Sequence, residues 1–230
     1  MRWVAMRLQI LEPRDYAYLV TGDQCWHYGE YTSEGGYKAS DTNQKIWNLK
    51  KKPTVSEGQL YYKNQAIDYW AAALAGVISL PQTIGSHTFV PMPGSKPIGH
   101  ADYDDRMLKV LRRMANGTPN VDIRPLLVQT MERDAQHHGH RLTPDELCGT
   151  LTIDPQLLDR PLANTVVVVD DVITMGASFA AAKRLLIRLP NVSGVVGIFL
   201  AKTVWPLSPF APLSADQIKQ LLAAGGKPVG

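Results

Sequence analysis

Cysteine is scarce in this chain of 230 residues: only Cys25 and Cys148 occur, which excludes a disulfide framework and a four-cysteine zinc site. Cys25-Trp26-His27 sets a thiol beside an imidazole, but no second pair at finger spacing accompanies it. An excess of one charge is also missing, since 24 Lys and Arg stand against 21 Asp and Glu, a formal net charge of +3. The single basic cluster, Lys50-Lys51-Lys52, reads as the last turn of a helix rather than a nucleic-acid footprint. Bulk charge therefore does not argue for DNA or RNA, and a local patch stays open. Long apolar runs are absent as well. The longest, Ala71 to Leu80, is too short to cross a bilayer, and Arg2 and Arg7 are not followed by a leader-like apolar core. The expectation is a cytoplasmic protein with no membrane contact. No Gly-x-x-x-x-Gly-Lys-Ser/Thr loop occurs, which excludes a P-loop nucleotide hydrolase.

What is present is concentrated between Thr165 and Ser178. The β-branched run Val166 to Val169 has no polar alternation, so it reads as a strand buried on both faces, of the kind found in parallel sheets covered by helices. Asp170 and Asp171 follow at its carboxyl end, the edge at which open α/β sheets bind ligands. Thr174, Met175, Gly176, Ala177 and Ser178 then lead into a helix over Phe179 to Leu189, stopped by Pro190. Unpaired N–H groups at such a helix start, with the positive end of its dipole, suit a phosphate dianion. The competing reading is a buried strand whose acids merely cap the next helix.

Around this segment the spacing predicts alternating elements: a strand at Thr88 to Val90, a helix about Tyr103 to Met114, a strand within Val121 to Val128, and a strand at Val192 to Leu200. Upstream, Tyr16 to Val20 and Trp26 to Tyr31 read as a β-hairpin about Thr21-Gly22-Asp23. Helices are expected at Asp41 to Lys51, capped by Ser40 or Asp41, and at Tyr61 to Ile78. The predicted organisation is an N-terminal hairpin and helix, the hood, over residues 1–60, an α/β core over 61–205, and a tail over 206–230 with a short helix at 215–224.

The segment Val167 to Ser178 resembles the phosphoribosyl pyrophosphate (PRPP) motif of type I phosphoribosyltransferases. The resemblance implies an α/β fold with a parallel sheet flanked by helices and an N-terminal hood. It also implies that Asp170 and Asp171 hold the ribose hydroxyls while Thr174, Met175, Gly176, Ala177 and Ser178 wrap the 5′-phosphate. Met175 stands where a second Thr is commoner, so one hydroxyl contact is lost and the backbone amides remain. A second anion site is then required for the pyrophosphate leaving group. Pro93, Gly94, Ser95 and Lys96 resemble that family's pyrophosphate loop, against the plainer reading of a Pro-Gly turn with a surface lysine. The polar stretch Met131 to Thr150 contains Arg133 and Arg141, the expected pyrophosphate cations, and His137, His138 and His140 as weaker candidates.

The order of these segments is similar to the ComF-like branch of the superfamily, without the zinc-binding cysteine cluster often found there. The resemblance implies Mg²⁺ as cofactor, held mainly by PRPP and water, and PRPP as substrate or ligand. It leaves two functions: phosphoribosyl transfer to a nucleophile, or a non-catalytic module that senses PRPP or a nucleotide or contacts a protein or nucleic-acid partner in DNA uptake or processing. A homodimer stays open. The aromatics Trp26, Tyr28, Tyr31 and Tyr37 are read as packing for the hairpin before they are read as a stacking surface.

Overall fold

Val166 to Val169, the most apolar four residues of the motif, are at most 3% exposed, and the fold is organised around them. The computed structural model describes residues 7–133 and 142–206. Arg141, the three histidines at 137, 138 and 140, and the helix expected at 215–224 lie outside the described residues. The strand carrying the motif is longer than its apolar run. Named in chain order, the strands are β1 (Gln9–Ile10), β2 (Cys25–Thr32), β3 (His87–Pro91), β4 (Asp122–Ile123), β5 (Leu127–Gln129), β6 (Leu151–Ile153), β7 (Thr165–Ile173) and β8 (Gly194–Val204). The helices are α1 (Asp41–Leu49), α2 (Glu57–Ala75), α3 (Leu80–Thr83), α4 (Arg106–Met114), α5 (Pro144–Thr150) and α6 (Ala177–Leu186).

Six strands form one sheet in the order β1-β2-β8-β7-β3-β4, parallel throughout except for β1, and β5 pairs with β6 in a separate antiparallel ribbon. The architecture is α/β, a mostly parallel mixed sheet flanked by helices. β7 lies between β3 and β8, and the two faces of its valine run feed two cores. Val167 and Val169 pack with Trp70, Leu74, Val110 and Leu111 of α2 and α4, whereas Val166 and Val168 pack with Phe179, Ala182 and Leu186 of α6. Alternate residues of a strand point to opposite faces, so an all-valine strand supplies both layers at once.

Several expectations are corrected. β7 does not stop before the acids: its ladder to β8 continues through Asp170↔Phe199 to Ile173↔Lys202, because β8 itself runs to Val204. Residues 16–20 form no strand. Pro13 opens a single 3-10 turn, Asp23 accepts the Val20 N–H at 2.9 Å, and the strand that pairs antiparallel with β2 is β1, in the register Gln9↔His27. β2, expected in the hood, hydrogen-bonds in parallel to β8 over Cys25↔Gly197 to Thr32↔Val204, so it is a strand of the main sheet. The single strand expected in Val121 to Val128 is broken at Arg124-Pro125. Proline offers no ladder donor, and the Arg124 guanidinium turns inward to the carbonyls of Leu157, Arg160 and Pro161.

The helices follow local rules. Ser40 caps α1, its Oγ accepting the Asn43 N–H at 3.0 Å. Thr143 and Glu146 form a reciprocal capping box at the start of α5. No helix among the described residues is long and apolar enough to cross a membrane.

Candidate functional site

The site begins where β7 hands over to α6. Gly176 precedes the first helical residue with φ +86°, a left-handed conformation that glycine adopts without strain, and a Cβ there would lie 3.0 Å from Leu19 Cδ2. The segment that sequence patterning placed in a hairpin instead braces this loop. The Tyr18 N–H donates to the Met175 carbonyl at 3.0 Å, and Leu19 is buried against Gly176. No side chain caps α6, so its first N–H groups lack intrahelical partners. They open into a cavity of about 90 Å³ lined by Tyr18, Asp170, Thr174, Met175, Gly176 and Ser178 among others.

On the other side of Asp170 lies a wider cleft of about 210 Å³, lined by Lys50, Pro93, Gly94, Ser95, Arg106, Arg133, Asp171 and Ser178. Asp170, Val172 and Ser178 line both spaces. β3 pairs with β7 as far as Pro91↔Val169, and the Met92 N–H donates to the Val169 carbonyl at 2.9 Å, which brings the Pro93-to-Ser95 turn level with the acids. Arg133 joins the same wall. Its backbone N–H donates to the Ser95 carbonyl at 2.9 Å, and its Nη2 lies 3.5 Å from the Gly94 carbonyl. Arg133 Nε is buried without a partner among the described residues.

Lys96 behaves differently from its neighbours. Its ammonium pairs with Glu132, whose other carboxylate oxygen lies 3.7 Å from His100 Nε2, and Lys96 does not line the cleft. The remaining motif residues, Ala177 and Thr174, line the smaller cavity. Thr174 Oγ1 shares a hydrogen bond with Thr203 Oγ1 at 3.1 Å.

The two acids have unlike surroundings. Asp171 is 5% exposed. Its Oδ2 accepts from Arg106 Nη2 at 2.7 Å and Nε at 3.1 Å, and its Oδ1 lies 3.0 Å from Lys50 Nζ. Burial alone would raise its pKa, yet the cations Lys50 and Arg106 hold it well below the ordinary carboxylate range. Asp170 accepts only the Asp171 N–H, at 2.7 Å, among its described hydrogen bonds. Burial, and then the negative charge of Asp171, push its carboxyl up to about 6. The sequence reading gave both acids the same task, but Asp171 is ion-paired within the protein and Asp170 has no ion pair among the described residues.

Behind Asp171 stands a network that sequence reasoning missed. Arg106 Nη1 donates to Asp104 Oδ2 at 2.9 Å, and the same oxygen accepts from Lys63 Nζ at 2.7 Å. Burial would lower the pKa of Arg106, and the carboxylates of Asp171 and Asp104 more than reverse this. Two signals existed in the sequence. Lys63 falls on the apolar stripe of α2 with Ala66, Ile67, Trp70 and Leu74, where a lysine has no solvent to enter. Arg106 opens α4, the helix end at which a cation opposes the dipole. Lys50, read as a helix-terminal charge, does follow α1, but its ammonium reaches the acid pair.

No three His, Cys, Asp or Glu side chains converge on a metal position among the described residues. Of the two carboxylates that line the cleft, Asp170 is the one without an ion pair among the described residues. No protein-family model matches the chain, and no curated protein matches it at a meaningful level of similarity.

Proposed function

We propose that the cleft at the end of β7 binds PRPP and that the protein transfers its phosphoribosyl group to a nucleophile with release of pyrophosphate. On this reading the chain is a member of the type I phosphoribosyltransferase superfamily, in its ComF-like branch. The observation that carries it is the position of Asp170 between two anion-suited walls: the uncapped start of α6 on one side, and Gly94, Ser95, Arg106, Arg133 and Lys50 on the other. A sugar diol on Asp170, a 5′-phosphate on the α6 amides and a diphosphate on the cationic wall match that order of charges.

In the reaction the nucleophile forms a bond to C1 of the ribose as the C1–O bond to pyrophosphate breaks, and the electron pair leaves with the pyrophosphate. The ring carries positive charge on the way. Asp170 fixes the ribose and its carboxylate favours that charge, and the cations of the opposite wall favour the departing anion. Mg²⁺ bound with the diphosphate would supply further charge neutralisation, and Asp170 is the cleft residue that would help hold it.

A second reading, a non-catalytic module that senses PRPP or a nucleotide, is favoured by one feature. The fixed Arg106 and Lys50 pairs of Asp171 leave a single carboxylate for the sugar. Calorimetric titration of PRPP with Mg²⁺, beside Asp170→Asn and an assay for pyrophosphate release, tests both. Saturable binding that Asp170→Asn abolishes, with acceptor-dependent pyrophosphate release, supports transfer. Binding without release supports the sensor, and absence of binding to folded protein overturns both.

A further inference from the structure

Lys63 is the most deeply buried cation near the cleft, its side chain 5% exposed, and it does not line the cleft. Its ammonium has three donors and three acceptors: the Leu49 carbonyl at 2.7 Å, the Lys51 carbonyl at 2.6 Å and Asp104 Oδ2 at 2.7 Å. Burial lowers its pKa and Asp104 opposes that. A buried pair of this kind is a poor stabiliser compared with apolar side chains of similar volume. Asp104 Oδ1 is in addition buried without a partner among the described residues, a cost that packing does not require.

The three acceptors show what the ammonium holds. Leu49 and Lys51 flank Lys50, so two of its bonds fix the backbone from which Lys50 reaches Asp171 Oδ1. The third fixes Asp104, whose Oδ2 also takes Arg106 Nη1, and Arg106 in turn grips Asp171 Oδ2. The end of α1 and the turn before α4 are thereby joined at one atom of α2, and β7 is reached from there through Lys50 and Arg106.

We infer that Lys63 is the positioning residue of the cationic wall, setting Lys50 through the end of α1 and Arg106 through Asp104 so that both face the diphosphate of a bound ligand. The inference rests on the proposed reading of the cleft. Lys63 touches no ligand and acts only through these two cations.

The test is a double-mutant cycle on the full chain, with inorganic pyrophosphate and Mg²⁺ as probe in calorimetry. Lys63→Met is expected to weaken pyrophosphate binding about tenfold in the native background and clearly less in Lys50→Ala, because one of its two routes is already gone. An equal factor in both backgrounds overturns the inference. If Lys63→Met does not fold, Asp104→Asn takes its place in a cycle with Arg106→Gln. That substitution removes the charge between Lys63 and Arg106 and keeps the shape. A smaller effect in Arg106→Gln than in the native background supports positioning, and equal effects refute it. If the wild-type protein binds neither pyrophosphate nor PRPP, the proposed function fails, and carboxyl NMR titration still decides the inference. Loss of the Asp104 charge in Asp104→Asn removes a direct repulsion and by that alone would lower the Asp171 titration midpoint, whereas loosening of Arg106 raises it. A raised midpoint is expected, and an unmoved or lowered one refutes the positioning role.

Discussion

Replacing Asp170 by Asn should make the folded protein more stable at neutral pH while removing its ligand binding. The Asp170 carboxyl is pushed from the ordinary 3.8 up to about 6 in the folded chain, by burial and by Asp171. A carboxyl whose folded pKa is raised binds its proton more tightly in the native state than in the unfolded state. It therefore costs stability above the folded pKa, and the cost is relieved as the pH falls from about 6 toward 3.8. At about 1.4 kcal/mol per pKa unit the cost at pH 8 is about 2 to 3 kcal/mol. Asn keeps an oxygen for the Asp171 N–H, now accepted at 2.7 Å, and carries no charge. For a chain of this size the gain corresponds to a rise in Tm of about 4 to 12 °C. The assay is thermal unfolding followed by far-UV circular dichroism for wild type and Asp170→Asn from pH 4 to pH 8. The expected record is a Tm advantage of the variant at pH 8 that shrinks through pH 5 and is gone near pH 4. An equal or lower Tm at pH 8, or an advantage independent of pH, would refute the argument that this acid is held at an energetic cost for ligand binding.

Arg106→Met is expected to cost about 3 to 5 kcal/mol in urea unfolding at pH 7, since it strips one partner from two buried carboxylates. Lys50 and Arg106 hold Asp171 well below its ordinary 3.8 in the wild type, so the deficit should stay at its full size from neutral pH down to about 4 and narrow only below that. Gly176→Ala should lose about 1 to 2 kcal/mol from its left-handed φ, with a further loss from Leu19. Gly22→Ala, at φ +96° in open space, should show the backbone part alone, so equal urea midpoints for the two would exclude the Leu19 contact. Arg133→Ala is expected to weaken pyrophosphate binding about tenfold, the scale of a lost charge-assisted contact, and Lys96→Ala by much less. Calorimetry giving the reverse order would move the anion site from the cleft to the Lys96–Glu132 pair.

Much of the fold was legible because its information is local. Val166 to Val169 announced a strand buried on both faces, and it is one. Of the two caps expected for α1, Ser40 is the one used, and the helix expected over Phe179 to Leu189 runs instead from Ala177 to Leu186. The hairpin was misassigned because two aromatic stretches around a Thr-Gly-Asp turn satisfy the local pattern equally well. The choice of β1 as partner for β2 depends on Tyr18 and Leu19 docking on the α6 turn 150 or more positions away along the chain. The break at Arg124-Pro125 had a local signal in the proline, but the inward turn of Arg124 depends on carbonyls near residue 160 that no window of sequence around it contains.

By itself the sequence determined the parallel-sheet strand, the acid pair at its end, and the helix start suited to an anion, because periodicity, propensity and N–H geometry act over a few residues. Only the tertiary structure decided how the acids differ. Asp170 and Asp171 are adjacent and chemically identical, and the chain around them gives no reason to separate them. They are separated by Arg106 and Lys50, which arrive from α4 and the end of α1 to neutralise one carboxylate and leave its half-buried neighbour unpaired beside the cleft. Those contacts span 65 positions in the case of Arg106. Electrostatics in a low-dielectric interior is set by distance in space, which the fold supplies and the order of residues does not.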